Sequence, residues 1–97
     1  MKFRTLKSAL YDLDEIEAWV TEHFGPSFAF DTENELFKTF ERLADFPEMG
    51  VTKPEIDRPS VRFFLHRPYW ISYSPGEPLL IRRVYHAARD LHRIGRS

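Results

Sequence analysis

No cysteine occurs in the sequence. Disulfides, a thiolate nucleophile and cysteine-ligated zinc are thereby excluded, in keeping with a reducing compartment. No apolar run approaches the ~20 residues of a membrane span. The start, Met1-Lys2-Phe3-Arg4, also lacks the apolar segment of a signal peptide. A soluble, cytoplasmic protein with no membrane partner is expected. Internal repeats and low-complexity segments are absent as well, and 97 residues suit one domain spanning 1–97. What the chain has in quantity is aromatic: nine phenylalanines and an aromatic share of 15% predict a core filled by a few large side chains.

The net charge of −1 conceals two unlike halves. Residues 1–48 carry five Lys or Arg against eleven Asp or Glu, a net −6, whereas residues 49–97 carry nine against four, a net +5. Eight of those nine cations are arginine. Arginine's planar fork suits bidentate recognition of carboxylate or phosphate, so an acidic protein segment or a nucleic acid fits the C-terminal half. For any single arginine the plain reading is solvation of a sheet's outer face.

In chain order, Met1 to Lys7 alternates as a short strand. Ser8 is placed to cap a helix over Ala9 to Phe24, whose apolar stripe is Ala9, Leu13, Ile16, Val20 and Phe24, widened by Leu10 and Trp19. Asp12, Asp14, Glu15 and Glu17 take the other face. Gly25-Pro26 ends that helix. Ser27 then caps a second helix with Phe30, Leu36, Phe37, Phe40, Leu43 and Ala44 as its buried set, stopped by Phe46-Pro47. The short link makes an antiparallel αα-hairpin. After a loop over Val51 to Pro59, three alternating runs separated by Arg67-Pro68 and by Pro75 to Pro78 form an antiparallel meander: Val61 to His66, Tyr69 to Ser74, and Leu79 to His86. The last run passes into a short helical pattern.

That closing stretch, Arg83-Val84-Tyr85-His86-Ala87-Ala88-Arg89-Asp90, resembles the C-terminal motif of the RelE/ParE superfamily of bacterial toxins, Arg-Val-Leu-His-Gly-Ala-Arg-Asp. Pro47-Glu48-Met49-Gly50, Arg62-x-Phe64 and Tyr69-x-Ile71-x-Tyr73 add to the likeness. Departures are Tyr85 for an aliphatic residue, Ala87 for glycine, and Arg67-Pro68-Tyr69 where relatives often have Gly-Arg-Tyr. The resemblance implies an α+β fold of the RelE/ParE type: an N-terminal strand, a helical hairpin packed on the three-stranded meander, and a short C-terminal helical tail. It also implies a toxin of a type II toxin–antitoxin system, held inactive in a hetero-oligomeric complex by a cognate antitoxin.

The superfamily's branches differ in target. A RelE-like chain cuts messenger RNA on the ribosome; a ParE-like chain inhibits DNA gyrase without cleaving nucleic acid. As a nuclease, this chain offers His86 for proton exchange and Arg62, Arg83 and Arg89 for the phosphate. Its pI near 6.4 and its acidic first half disfavour approach to the ribosome. The tail also lacks the tyrosine that many nuclease-type members carry. The ParE-like reading is therefore preferred, as a protein-binding inhibitor and not an enzyme, with no cofactor and no metal. Arg83, Arg89, Arg93, Arg96 and Tyr85 are then the target-binding candidates, with Trp70 as a further aromatic anchor. Phe64, Trp70, Leu80 and Arg62 are the antitoxin-binding candidates, the first three placed on the open face of the sheet if Phe63, Ile71 and Ile81 face the hairpin. The architectural alternatives are a bond from His86 to a backbone carbonyl that helps turn the chain out of the strand, local pairing or helix-end capping by Arg89 and Asp90, and plain packing for Trp70 and Tyr73. A third functional reading is a non-toxic, antitoxin-binding homologue.

Overall fold

The computed structural model describes residues 2–52 and 60–90. Its elements are β1 (Phe3–Thr5), α1 (Lys7–Phe24), α2 (Pro26–Asp45), a 3-10 turn (Pro47–Met49), β2 (Arg62–His66), β3 (Tyr69–Ser74) and β4 (Leu79–His86). The sheet runs β1-β4-β3-β2: the meander is antiparallel, and β1 joins it parallel to β4, Phe3 opposite Leu79 and Thr5 opposite Ile81. This is the expected α+β arrangement. The hairpin buries Ala9, Leu13, Ile16 and Val20 of α1 and Leu36, Phe40 and Leu43 of α2 against Ile71, Tyr73, Ile81 and Val84 of the sheet.

Both helix starts differ from the sequence reading. Helix α1 begins at Lys7, after an extended Leu6 with no side-chain cap. Ser8 does not cap; its hydroxyl donates to Arg82 C=O at 2.7 Å. Gly25 serves both helices, at φ +95°, where an L side chain is strained, and Pro26 opens α2, so Ser27 is not the cap either. Leu10, Phe24 and Phe30, expected in the core, are at least 48% exposed. The expected helical tail falls largely beyond the described residues; within them, 87–90 form a turn closed by Asp90 N–H donating to His86 C=O at 2.9 Å.

Strand β1 is only three residues long, so it covers only the first part of β4. Its last contribution is Leu6 N–H to Ile81 C=O, 2.9 Å. Beyond that point α1 takes over the edge. Ser8 meets Arg82 C=O, and one turn later Asp12 Oδ2 accepts Val84 N–H at 2.9 Å. Four residues of helix rise about 6 Å and two residues of strand about 6.7 Å, so side chains one helical turn apart match edge groups two strand residues apart. A β-bulge sets which groups those are: Ser72 faces Arg83 but Tyr73 faces Ile81, which leaves Arg82 as the extra residue.

Asp12 also takes Arg83 bidentately, Nε to Oδ2 at 2.7 Å and Nη2 to Oδ1 at 3.0 Å. The carboxylate is nearly buried, and the bonds to it hold the Arg83 guanidinium above its ordinary pKa. Asp12→Ala would strand a guanidinium and an amide together. Urea unfolding should register a loss of about 3 kcal/mol. Asp12→Asn, which keeps an acceptor for Val84 N–H, should lose clearly less; equal losses would mean that the amide bond contributes nothing.

Candidate functional site

The residues singled out in the sequence fall into three places. The first is a node at the start of β2. Tyr73 Oη donates to Pro47 C=O at 2.6 Å and accepts Gly50 N–H at 2.8 Å, while Arg62 Nη1 donates to Gly50 C=O at 2.7 Å. A Cβ on Gly50 would collide with the Tyr73 hydroxyl and ring, so the position admits only glycine without a shift. The Pro47–Gly50 segment, Arg62 and Tyr73 are thus parts of one structural contact. Burial is the main reason the Tyr73 hydroxyl titrates above its usual range.

The second place is the end of β4. His86 Nδ1 accepts two backbone amides, Arg89 N–H at 3.0 Å and Ala88 N–H at 3.2 Å. Asp90 Oδ2 in turn accepts His86 N–H at 3.0 Å, and Ala87 N–H donates to Pro68 C=O at 2.7 Å. The architectural role foreseen for His86 holds, but it accepts from amides and does not bond a carbonyl. Arg89 is exposed and lies 4.8 Å from the Trp19 ring centroid.

The third place is the sheet face away from the hairpin, where Val61, Phe63 and Tyr85 are buried and Trp70 packs on them. Pairing Phe64 with Ile71, and Phe63 with Ser72, reverses the expected parity of β2. Phe64 packs into the hairpin-side core and Arg62 is tied to Gly50, so neither lies on the open face; Trp70 does, and Leu80, between hairpin-facing Leu79 and Ile81, alternates onto it. Tyr85 is fully buried, and Arg83 is committed to Asp12 with its guanidinium 4.9 Å from the Tyr85 centroid. Neither is an exposed target contact. Arg89 is exposed; Arg93 and Arg96 lie outside the described residues.

The four residues considered for RNA cleavage do not converge. Arg62 and His86 belong to opposite ends of the sheet: Arg62 pairs with Tyr73, whereas His86 pairs with Tyr69, which faces His66. Four residues of strand separate Arg62 from His66, about 13 Å. Among the described residues no group of His, Cys, Asp or Glu is arranged to hold a metal ion, and no helix is long and apolar enough to cross a membrane.

The sequence reading missed a cleft of about 510 Å³ between the helical hairpin's tip and the β2–β3 turn. Trp19, Val20, Phe24 and Phe28 line it from the helices, and His66, Arg67, Pro68, Tyr69 and His86 from the sheet. Phe24 and Phe28, both more than half exposed, lie beside it with ring centroids 5.2 Å apart and planes tilted by 32°. The available signal was an aromatic on each side of Gly25-Pro26, more than a two-residue link between helices needs.

The sequence model of the family described as ParE toxin of type II toxin-antitoxin system, parDE, matches residues 3–91. The chain belongs to the ParE toxin family. No curated protein sequence matches it significantly. Among solved structures, the fold is similar to a chain of the chromosomal ParDE toxin–antitoxin system from P. aeruginosa, with a TM-score of 0.73 and 24% identity over 89% of this chain and 95% of that one. As a ParE toxin, the chain is the toxin half of a type II pair, and its partner is an antitoxin.

Burial, and then the Arg89 charge, push the His86 pKa below its ordinary 6.5, against the opposing pull of Asp90. The unfolded chain therefore takes up the proton first as pH falls. The stabilisation that neutral His86 gives is complete above about 6.5 and is lost as pH drops from there toward the lower folded value. Thermal melts should show the wild-type chain losing stability between about pH 7.5 and about pH 5.5. His86→Asn, whose amide oxygen accepts the same amides without titrating, should show a smaller loss; an unchanged loss would show that His86 is not its source.

Proposed function

We propose that this ParE toxin acts by binding DNA gyrase and stopping replication, and that it cleaves no RNA itself. The observation that carries this reading is the commitment of the would-be nuclease groups. Arg83 is tied to Asp12, Arg62 to Gly50, and His86 spends Nδ1 on its own turn. Transesterification requires a base, an acid and a phosphate clamp around one point, and these residues surround none. A binding inhibitor needs only exposed contacts. Arg89, braced on Trp19, supplies one, and Arg93 and Arg96 follow it in sequence.

The antitoxin, in this proposal, covers apolar surface that the isolated toxin leaves in water. Trp70 and Leu80 contribute from the sheet, and Leu10 and Tyr11, 48% and 63% exposed, from α1.

Expression from a tightly repressed promoter, with DNA and protein synthesis followed separately, tests the target. DNA synthesis should fall first, and the purified chain should inhibit gyrase supercoiling. Arg89→Ala should weaken inhibition about tenfold, the effect of losing one well-placed arginine at a protein interface. An earlier fall in protein synthesis with cut messages would contradict the proposal. Absence of arrest with antitoxin binding retained would assign the chain to a non-toxic binding role instead.

A further inference from the structure

Arg89 is anchored at both ends. Its amide donates to His86 Nδ1 at 3.0 Å, and its guanidinium lies 4.8 Å from the Trp19 ring centroid. Arg83 and Arg62 use guanidinium donors on Asp12 and Gly50, whereas contact with an aromatic ring uses none. Among the described residues no carboxylate is ion-paired with Arg89. Exposed as it is, this arginine has N–H donors to offer to an acceptor on another molecule.

The ring that carries it is held in its turn. Trp19 is half-buried in the last part of α1, and His23 follows it by four residues, one helical turn on. The two rings stack, with centroids 4.0 Å apart and planes inclined by only 18°. A carbonyl oxygen can only accept, so His23 Nδ1 carries a proton and donates it to Trp19 C=O at 2.8 Å. That bond fixes the imidazole against the side chain of the residue whose backbone it grips. Phe24 meets the indole as well, 5.9 Å away and tilted by 55°.

We propose that His23 is a positioning residue for Arg89. It holds the Trp19 indole in the orientation that carries the guanidinium, so the arginine meets its target already ordered. A loose arginine loses much rotamer freedom on binding, and a side chain ordered beforehand loses less. The functional half of this proposal rests on the reading of Arg89 as a target contact; the structural half does not.

NMR and gyrase assays on the full-length chain test both halves. Protons over an aromatic face resonate upfield, so the Arg89 δ-protons should lie upfield in the wild type and return toward the ordinary arginine position in His23→Ala. His23→Phe, which keeps a flat ring there, should restore the upfield shift. Inhibition of supercoiling should weaken about threefold in His23→Ala, within the range for ordering one long side chain, and should recover in His23→Phe. In an Arg89→Ala background, His23→Ala should weaken inhibition no further, because its effect passes through Arg89. His23 is exposed, so the fold tolerates both changes. Unmoved Arg89 δ-protons in His23→Ala overturn the proposal whatever the target is. Unchanged inhibition in His23→Ala where Arg89→Ala weakens it, no recovery in His23→Phe, or an equal loss with and without Arg89 overturns it too. A wild-type chain that does not inhibit gyrase overturns the target reading and the functional half with it, while the proton shifts still decide the structural half.

Discussion

A strand that stops too soon organises this molecule. With β1 only three residues long, most of β4 would be an open edge beside the core, its backbone groups buried without partners. The chain solves this with a helix in place of a strand: Ser8 and Asp12 reach Arg82 C=O and Val84 N–H at a spacing that matches. Asp12 then holds Arg83 as well, which joins the first helix to the last strand across 71 residues of sequence. Beside that contact the hairpin packs against Ile81 and Val84.

The same contact changes what the family's closing motif means. Arg83 and His86 look like a cation and a proton shuttle when read as sequence. In the fold they are a tie to α1 and the hub of a turn. The second motif is architectural too, since Gly50 makes room for Tyr73, whose hydroxyl joins the 3-10 turn to the sheet. Much of what makes this chain resemble its family is therefore framework.

Much of the fold was legible in the sequence. The α1 stripe of Ala9, Leu13, Ile16 and Val20 is buried as its period implies, and the three meander strands fall where alternation and prolines put them. Parity failed at Phe63-Phe64, where two adjacent phenylalanines satisfy either face, and only the register across the Arg67-Pro68 turn decides between them. The bulge at Arg82 was equally hidden, since an extra residue leaves no mark on composition. Of the candidate site residues, Arg89 is exposed, and Trp70 and Leu80 are half-buried on the sheet face away from the hairpin. Arg83 and Tyr85 were misjudged because pairing with Asp12, and burial against Val61 and Phe63, are events between distant segments. The cleft was unreadable for the same reason: its walls come from residues 19–35 and 66–86.

Native-state hydrogen exchange at the Val84 amide distinguishes a helix that stands in for a strand from one that only packs beside it. If Asp12 replaces a missing strand, that amide opens only when the whole domain unfolds, and its exchange free energy equals that of core amides in β3 such as Ile71. Exchange as fast as at a frayed edge would show that α1 merely lies beside β4 and that Asp12 does not close the sheet's edge.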